Sequence, residues 1–175
     1  MKKSNLTDFK KYTYIAIFTL LASILAAGCT GVGNEKNTST QVNSEQPEYQ
    51  DLAWMEHGEK YSALIKSDID NIALAQNTQD FKLLAEYGQD LVNDTQNALD
   101  ESSQYTVSPK YQEAKTEWEL AMNDANSAGQ YIVSSANTCL AYGVPVRDLE
   151  AEQKIQSLMV SSTGHANRST ALLKG

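Results

Sequence analysis

Between residues 108 and 142 the apolar and small side chains recur at spacings that alternate three and four. They are Tyr111, Ala114, Trp118, Ala121, Ala125, Ala128, Ile132, Ser135, Cys139 and Tyr142. This is the inward seam of a long helix packed against partner helices. Ser108 is the expected N-cap and Pro109 the first helical residue, where the N–H that proline lacks would be unpaired anyway. Gly143, with Pro145 two residues on, marks the expected end.

The same periodicity recurs on both sides of this stretch. Residues 48–76 place Trp54, Gly58, Tyr61, Ile65, Ile69 and Ile72 on one face. Asn77 or Thr78 is expected to end that helix and cap the next. Residues 79–103 carry Phe81, Leu84, Gly88, Leu91, Thr95, Ala98 and Ser102, again three and four apart, and residues 105–107 turn into the central helix. Residues 145–174 offer Leu149, Ile155, Met159, Thr163, Ala166, Thr170 and Leu173. No strand-type alternation of useful length appears. Four long helices joined by short turns predict an all-α fold, an antiparallel up-and-down four-helix bundle over residues 48–175. Ala, Ser, Thr and Gly dominate three of the four seams, so the axes are expected to approach toward the lower end of ~8–10 Å. Trp54, Tyr61, Trp118 and Tyr142 should then supply much of the buried apolar area.

Ahead of the bundle the pattern changes. Lys2, Lys3, Lys10 and Lys11 precede an apolar run over residues 12–25, closed by Ala26, Ala27, Gly28 and Cys29. The run is short for a spanning helix and has the flanks of a cleaved signal. Residues 25–29 resemble a prokaryotic lipobox, with the departure that Ala26 stands where leucine is usual. The resemblance implies removal of residues 1–28 and lipidation of Cys29. A plain secretory signal or a retained anchor would also place the domain outside the cytoplasm. Residues 30–47 are rich in Asn, Ser, Thr and Gln, and predict a flexible stalk. The stalk carries a sequon at Asn37; those at Asn93 and Asn167 fall inside predicted helices.

Charge narrows the partners. Removing residues 1–28 takes four lysines and one aspartate from 14 basic and 22 acidic side chains, leaving a net charge of −11. Such a surface argues against nucleic acid and against charge-driven docking on anionic headgroups, so membrane attachment falls to the lipid. Lipidation of Cys29 leaves Cys139 without a disulfide partner, a small core hydrophobe on its seam.

Sequence motifs for catalysis are absent: no phosphate loop, Gly-x-Ser-x-Gly elbow, His-Glu-x-x-His or haem-attachment pattern occurs. Neither His57 nor His165 has a glutamate three residues before it, which excludes the familiar di-iron bundle signature. In an up-and-down bundle these two histidines come to a similar height on neighbouring helices, as axial haem ligands do, with Met55 and Met159 as alternative sulfur donors. The helical wheel argues otherwise, turning His57 about 80° from Ile65 and His165 about 120° from Met159. Both are therefore expected on flanks or at the surface. Asp68, Asp70, Asp90, Asp94, Glu117, Glu119, Asp124 and Glu150 read as solvated helix faces, and Glu152 as a near-seam residue able to reach water.

The Ala27-Gly28-Cys29 junction, the Asn/Thr-rich stalk and the third-helix residues Ser108 to Tyr111, Ala121 to Asp124 and Ala128-Gly129 together resemble small helical surface lipoproteins of methanogenic archaea. The resemblance implies location and lineage and supplies no active site. The expectation is a non-enzymatic, membrane-anchored binding or structural module that needs no cofactor and contacts another envelope protein. The alternative is a carrier of haem, metal or a small ligand within the bundle.

Overall fold

The computed structural model describes residues 48–174. The described residues are all-α. Four helices follow in order: α1 (Asp51–Thr78), α2 (Phe81–Ser102), α3 (Gln112–Tyr142) and α4 (Leu149–Lys174). Extensive packing joins consecutive helices: α1 with α2, α2 with α3, and α3 with α4. Partners pair in reversed order along each neighbour. His57 of α1 meets Ala98 of α2, while Asp80, just before α2, reaches back to Ala75 at the end of α1. On the other side Ser162 donates to Ala121 O and Ser169 to Ala114 O, both at 2.8 Å.

The small seam residues bring α2 and α3 close together. A Cβ added to Gly129 would stand 2.8 Å from Val92 Cγ2 and 3.2 Å from the carbonyl of Gly88, too near for any residue but glycine without displacement. Polar links stitch this tight interface. Asn126 donates to Val92 O at 2.9 Å and to Thr95 Oγ1 at 3.0 Å, and Ser102 donates to Glu119 at 2.8 Å. Such buried polar groups stay only because each finds a partner.

Several expectations are corrected. The third helix begins at Gln112, not at the Ser108–Pro109 pair, and Tyr111 occupies the N-cap position without a side-chain cap. Residues 108–111 form a turn closed by Tyr111 N–H on Ser108 O. The start of α1 holds that segment in place: Ser108 N–H donates to Asp51 Oδ1 at 2.7 Å, and Gln50 N–H to Thr106 O at 2.8 Å. The α2 cap is Asp80, whose side chain accepts from Leu83 N–H; Thr78 is still helical, and Gln79 takes the left-handed conformation (φ 55°) that ends α1. α4 starts at Leu149, four residues after Pro145, because Asp148 Oδ1 accepts from the N–H groups of Glu150 and Ala151. Gly143 does end α3, with φ 67°.

The buried set differs from the expected seams in an instructive way. Trp54, Tyr61 and Trp118 are buried as expected, whereas Tyr142 is 72 % exposed at the last turn of α3. Leu149 is also exposed, and the fully buried face of α4 is Ala151, Met159 and Ser169. α3 buries a second stripe, Met122, Asn126, Gly129 and Ala136, because it lies between α2 and α4. On α1 the buried line runs through His57 and Asp68, both expected at flanks or in water, with Gly58 and Ile69 only partly covered.

Candidate functional site

The two ends of the domain differ. At the end where residue 48 enters, Trp54, His57, Tyr61, Tyr105 and Trp118 close the core. At the other end lies a groove of about 740 Å³ between the α1–α2 junction, α3 and the start of α4. Its apolar lining is Phe81, Leu84, Ile132, Ala151 and Ile155. Hydroxyl and amide groups of Ser134, Ser135, Thr138, Gln76, Gln79 and Gln153 border it. Charge at the rim is mixed, with Asp148, Glu150, Glu152 and Lys154. Asp148 is engaged as the α4 cap, and Glu152 pairs with Arg147 at 3.5 Å.

Beside the groove the α3–α4 connection exposes apolar side chains in sequence: Leu140, Tyr142, Val144, Val146 and Leu149. Of these only Val146 lines the groove itself, together with the exposed Tyr131 of α3. Cys139 fixes the connection to α3. Its Sγ accepts from Val146 N–H at 3.3 Å and lies 3.7 Å from Val146 O, a contact in which the thiol donates. Cys139 is buried and is thus the small packing residue expected, with an added hydrogen-bonding role that the sequence did not suggest.

The two histidines reach a similar level of the domain without meeting. His57 is 4 % exposed; its Nε2–H donates to Ala98 O at 3.0 Å, and Nδ1 faces Glu101 Oε2 at 3.4 Å. Tyr61, Tyr105 and Trp118 surround the ring. Its buried position corrects the flank assignment. His165, partly buried on α4, lies 2.7 Å through Nδ1 from Glu117 Oε2 and 3.9 Å through Nε2 from Asp124 Oδ2. Arg168 joins this cluster by donating from Nε to the same glutamate oxygen at 2.8 Å. The hydrogen bond to His165, and then that to Arg168, hold the Glu117 carboxyl below its ordinary range. Each imidazole thus has its own protein partners. Met55 is partly buried against the core and Met159 is buried on α4. Among the described residues no group of three or more His, Cys, Asp and Glu is arranged to hold a metal ion.

Asp70, Asp90 and Glu150 are exposed as expected, Asp94, Glu117, Glu119 and Asp124 are half-buried, and Asp68 is buried. It is 8 % exposed on the α1 seam between Ile65 and Ile72, and its Oδ2 has no hydrogen-bond partner. Burial, and then the facing carboxylates Asp94 and Asp90 of α2, push its carboxyl up to about 7. Cys29 and Asn37 lie outside the described residues, and among the latter no helix is long and apolar enough to cross a membrane. Sequence reasoning missed the groove and the burial of His57 and Asp68. Comparison with protein-family models, curated proteins and solved structures finds no match to this chain.

Proposed function

We propose that this protein is a lipid-anchored, extracytoplasmic, non-enzymatic binding module that engages its partner through the groove between the α1–α2 junction, α3 and α4. The groove is the observation that carries this reading: it combines an apolar floor, a hydrogen-bonding border and the exposed side chains of Tyr131 and Val146. Its position adds support. Residue 48 joins the domain beside the α2–α3 connection, whereas the groove lies toward the far end of α3, a 31-residue helix about 45 Å long. A tether through Cys29 and the residue 30–47 stalk would thus present the groove away from the membrane. In this reading another envelope protein is the partner, and the acidic surface disfavours nucleic acid. The likeness to archaeal surface lipoproteins agrees with this placement and belongs to the same proposal.

Filling the groove tests its binding capacity. Ser135→Trp should keep the helical circular dichroism and thermal transition while removing most of the fluorescence gained by the neutral apolar probe N-phenyl-1-naphthylamine. Equal fluorescence from the variant and the parent would count against the groove as the open apolar surface.

One observation favours a second reading, a small-ligand carrier. A volume of about 740 Å³ falls within the ~300–1,000 Å³ of small-molecule sites. A native mass spectrum of the full chain from its own membrane separates the two, since a carrier retains an adduct of defined mass. The haem version is less favoured, because His57 and His165 face different partners.

A further inference from the structure

Asp68 breaks the otherwise apolar central part of the α1–α2 seam. The charged groups facing it are Asp90 and Asp94 of α2, and among the described residues no cation pairs with any of the three. As carboxylates, none of them can donate. Asp68 Oδ2 is then a buried acceptor without a partner, within reach of like charges. A single proton removes both penalties, because protonated Asp68 carries no charge and gains an O–H that can donate to a neighbouring carboxylate.

We propose that Asp68, Asp90 and Asp94 form a proton-operated clasp that holds α1, the helix entered from the stalk, against α2. With the proton in place the seam is neutral and hydrogen-bonded. Without it, a buried negative charge faces two others and α1 loosens. The clasp acts on α1 because α2 is the neighbour on which this helix packs most extensively, whereas α2 and α3 each pack extensively on two neighbours. This inference does not depend on what occupies the groove. The raised carboxyl of Asp68 sets the operating range: its ordinary value is 3.8 and its buried value about 7. The grip is complete below the first, weakens as pH rises between them, and is weakest above the second.

Amide hydrogen exchange of the full chain, corrected for intrinsic rates, tests the proposal. From pH 5 to 7 the protection of α1 should fall several-fold per pH unit, with about tenfold as the limit for one proton, and then level off. Asp68→Asn, of the same shape and unable to ionise, should give α1 protection independent of pH. Asp94→Asn should move the end of the decline to lower pH by removing the facing charge, and the carbon-13 titration of the Asp68 carboxyl should move with it. Flat α1 protection in the parent, or the same slope in Asp68→Asn, overturns the proposal. So does restoration of protection at pH 8 by calcium or magnesium chloride but not by equivalent sodium chloride, since a divalent cation would then be the natural occupant of the cluster.

Discussion

The Cys139 thiol accepts the backbone N–H of Val146 at 3.3 Å, and this contact pins the apolar α3–α4 connection to the last turns of α3 beside the groove. Cys139→Ala removes the sulfur while keeping a small buried side chain. The expected cost is about 1 kcal/mol, the worth of one ordinary hydrogen bond with a little lost packing. Faster exchange should be confined to the Val146 amide and its neighbours. Hydrogen exchange resolved by residue checks this; unchanged exchange at Val146 would show that the connection holds without the thiol.

Asp68 predicts a gain from a polar substitution in the core. Because its folded carboxyl is raised to about 7 from 3.8, the stability it withholds is absent below the lower value and fully withheld above the upper one. Asp68→Asn should therefore stabilise the domain at pH 8 by on the order of 2 kcal/mol and leave it near the parent at pH 4. Paired chemical denaturation curves at the two pH values provide the test.

The acidic limb has the opposite sign. Glu117 is held below its ordinary range by His165 and Arg168, and Glu101 chiefly by the hydroxyl of Tyr61, 2.7 Å away. Groups of this kind stabilise above the ordinary carboxylate range and lose that contribution as pH falls through their lowered values. Together with Asp68 they predict a melting temperature that peaks on the mildly acidic side of neutrality. Glu117→Gln should flatten the acid limb and leave the decline toward pH 8 intact. A melting series across pH decides, and an unchanged acid limb would remove Glu117 from the account.

The α3 packing can be tested by bulk. Ala125 is buried in the central helix, on the seam of small residues that lets helices approach closely. Ala125→Leu should cost ~1–3 kcal/mol by overpacking, despite leucine's good helix propensity. An unchanged melting temperature would mean that the interface has slack the structure does not show.

How far the sequence announced this molecule varied from helix to helix. The face of α2 was the most legible, since Leu84, Gly88, Leu91, Thr95, Ala98 and Ser102 are buried as expected and Phe81 partly so, although its cap is Asp80 and not Asn77 or Thr78. On α1 the true stripe is Trp54, His57, Tyr61, Ile65, Asp68, Ile72 and Ala75, an unbroken three–four pattern. It was missed because a helical wheel centred on Ile65 turned His57 to the flank and Asp68 was read as a solvated face, so that Gly58 and Ile69 took their places. Burial followed position, and hydrogen bonding or a shifted carboxyl accommodates the chemistry. The second stripe of α3 was hidden for a related reason, since Asn126 and Gly129 carry no apolar signal. Local cap rules placed the end of α3 at Gly143 but misplaced its start, where Asp51 and Gln50 capture the preceding backbone from another helix. The groove depends on how α4 rests on α3 relative to the α1–α2 junction, and no local pattern encodes that.

If the groove end of the domain is the recognition surface, photo-crosslinking in intact cells should capture a partner there. A photoreactive residue at position 135, in the groove, is compared with one at position 52, an exposed site on the first turn of α1. One discrete crosslinked product is expected from position 135, absent from position 52 and lost when Thr138→Trp fills the groove. Crosslinking of equal yield from both positions, or a product indifferent to the filled groove, would contradict that reading of the groove.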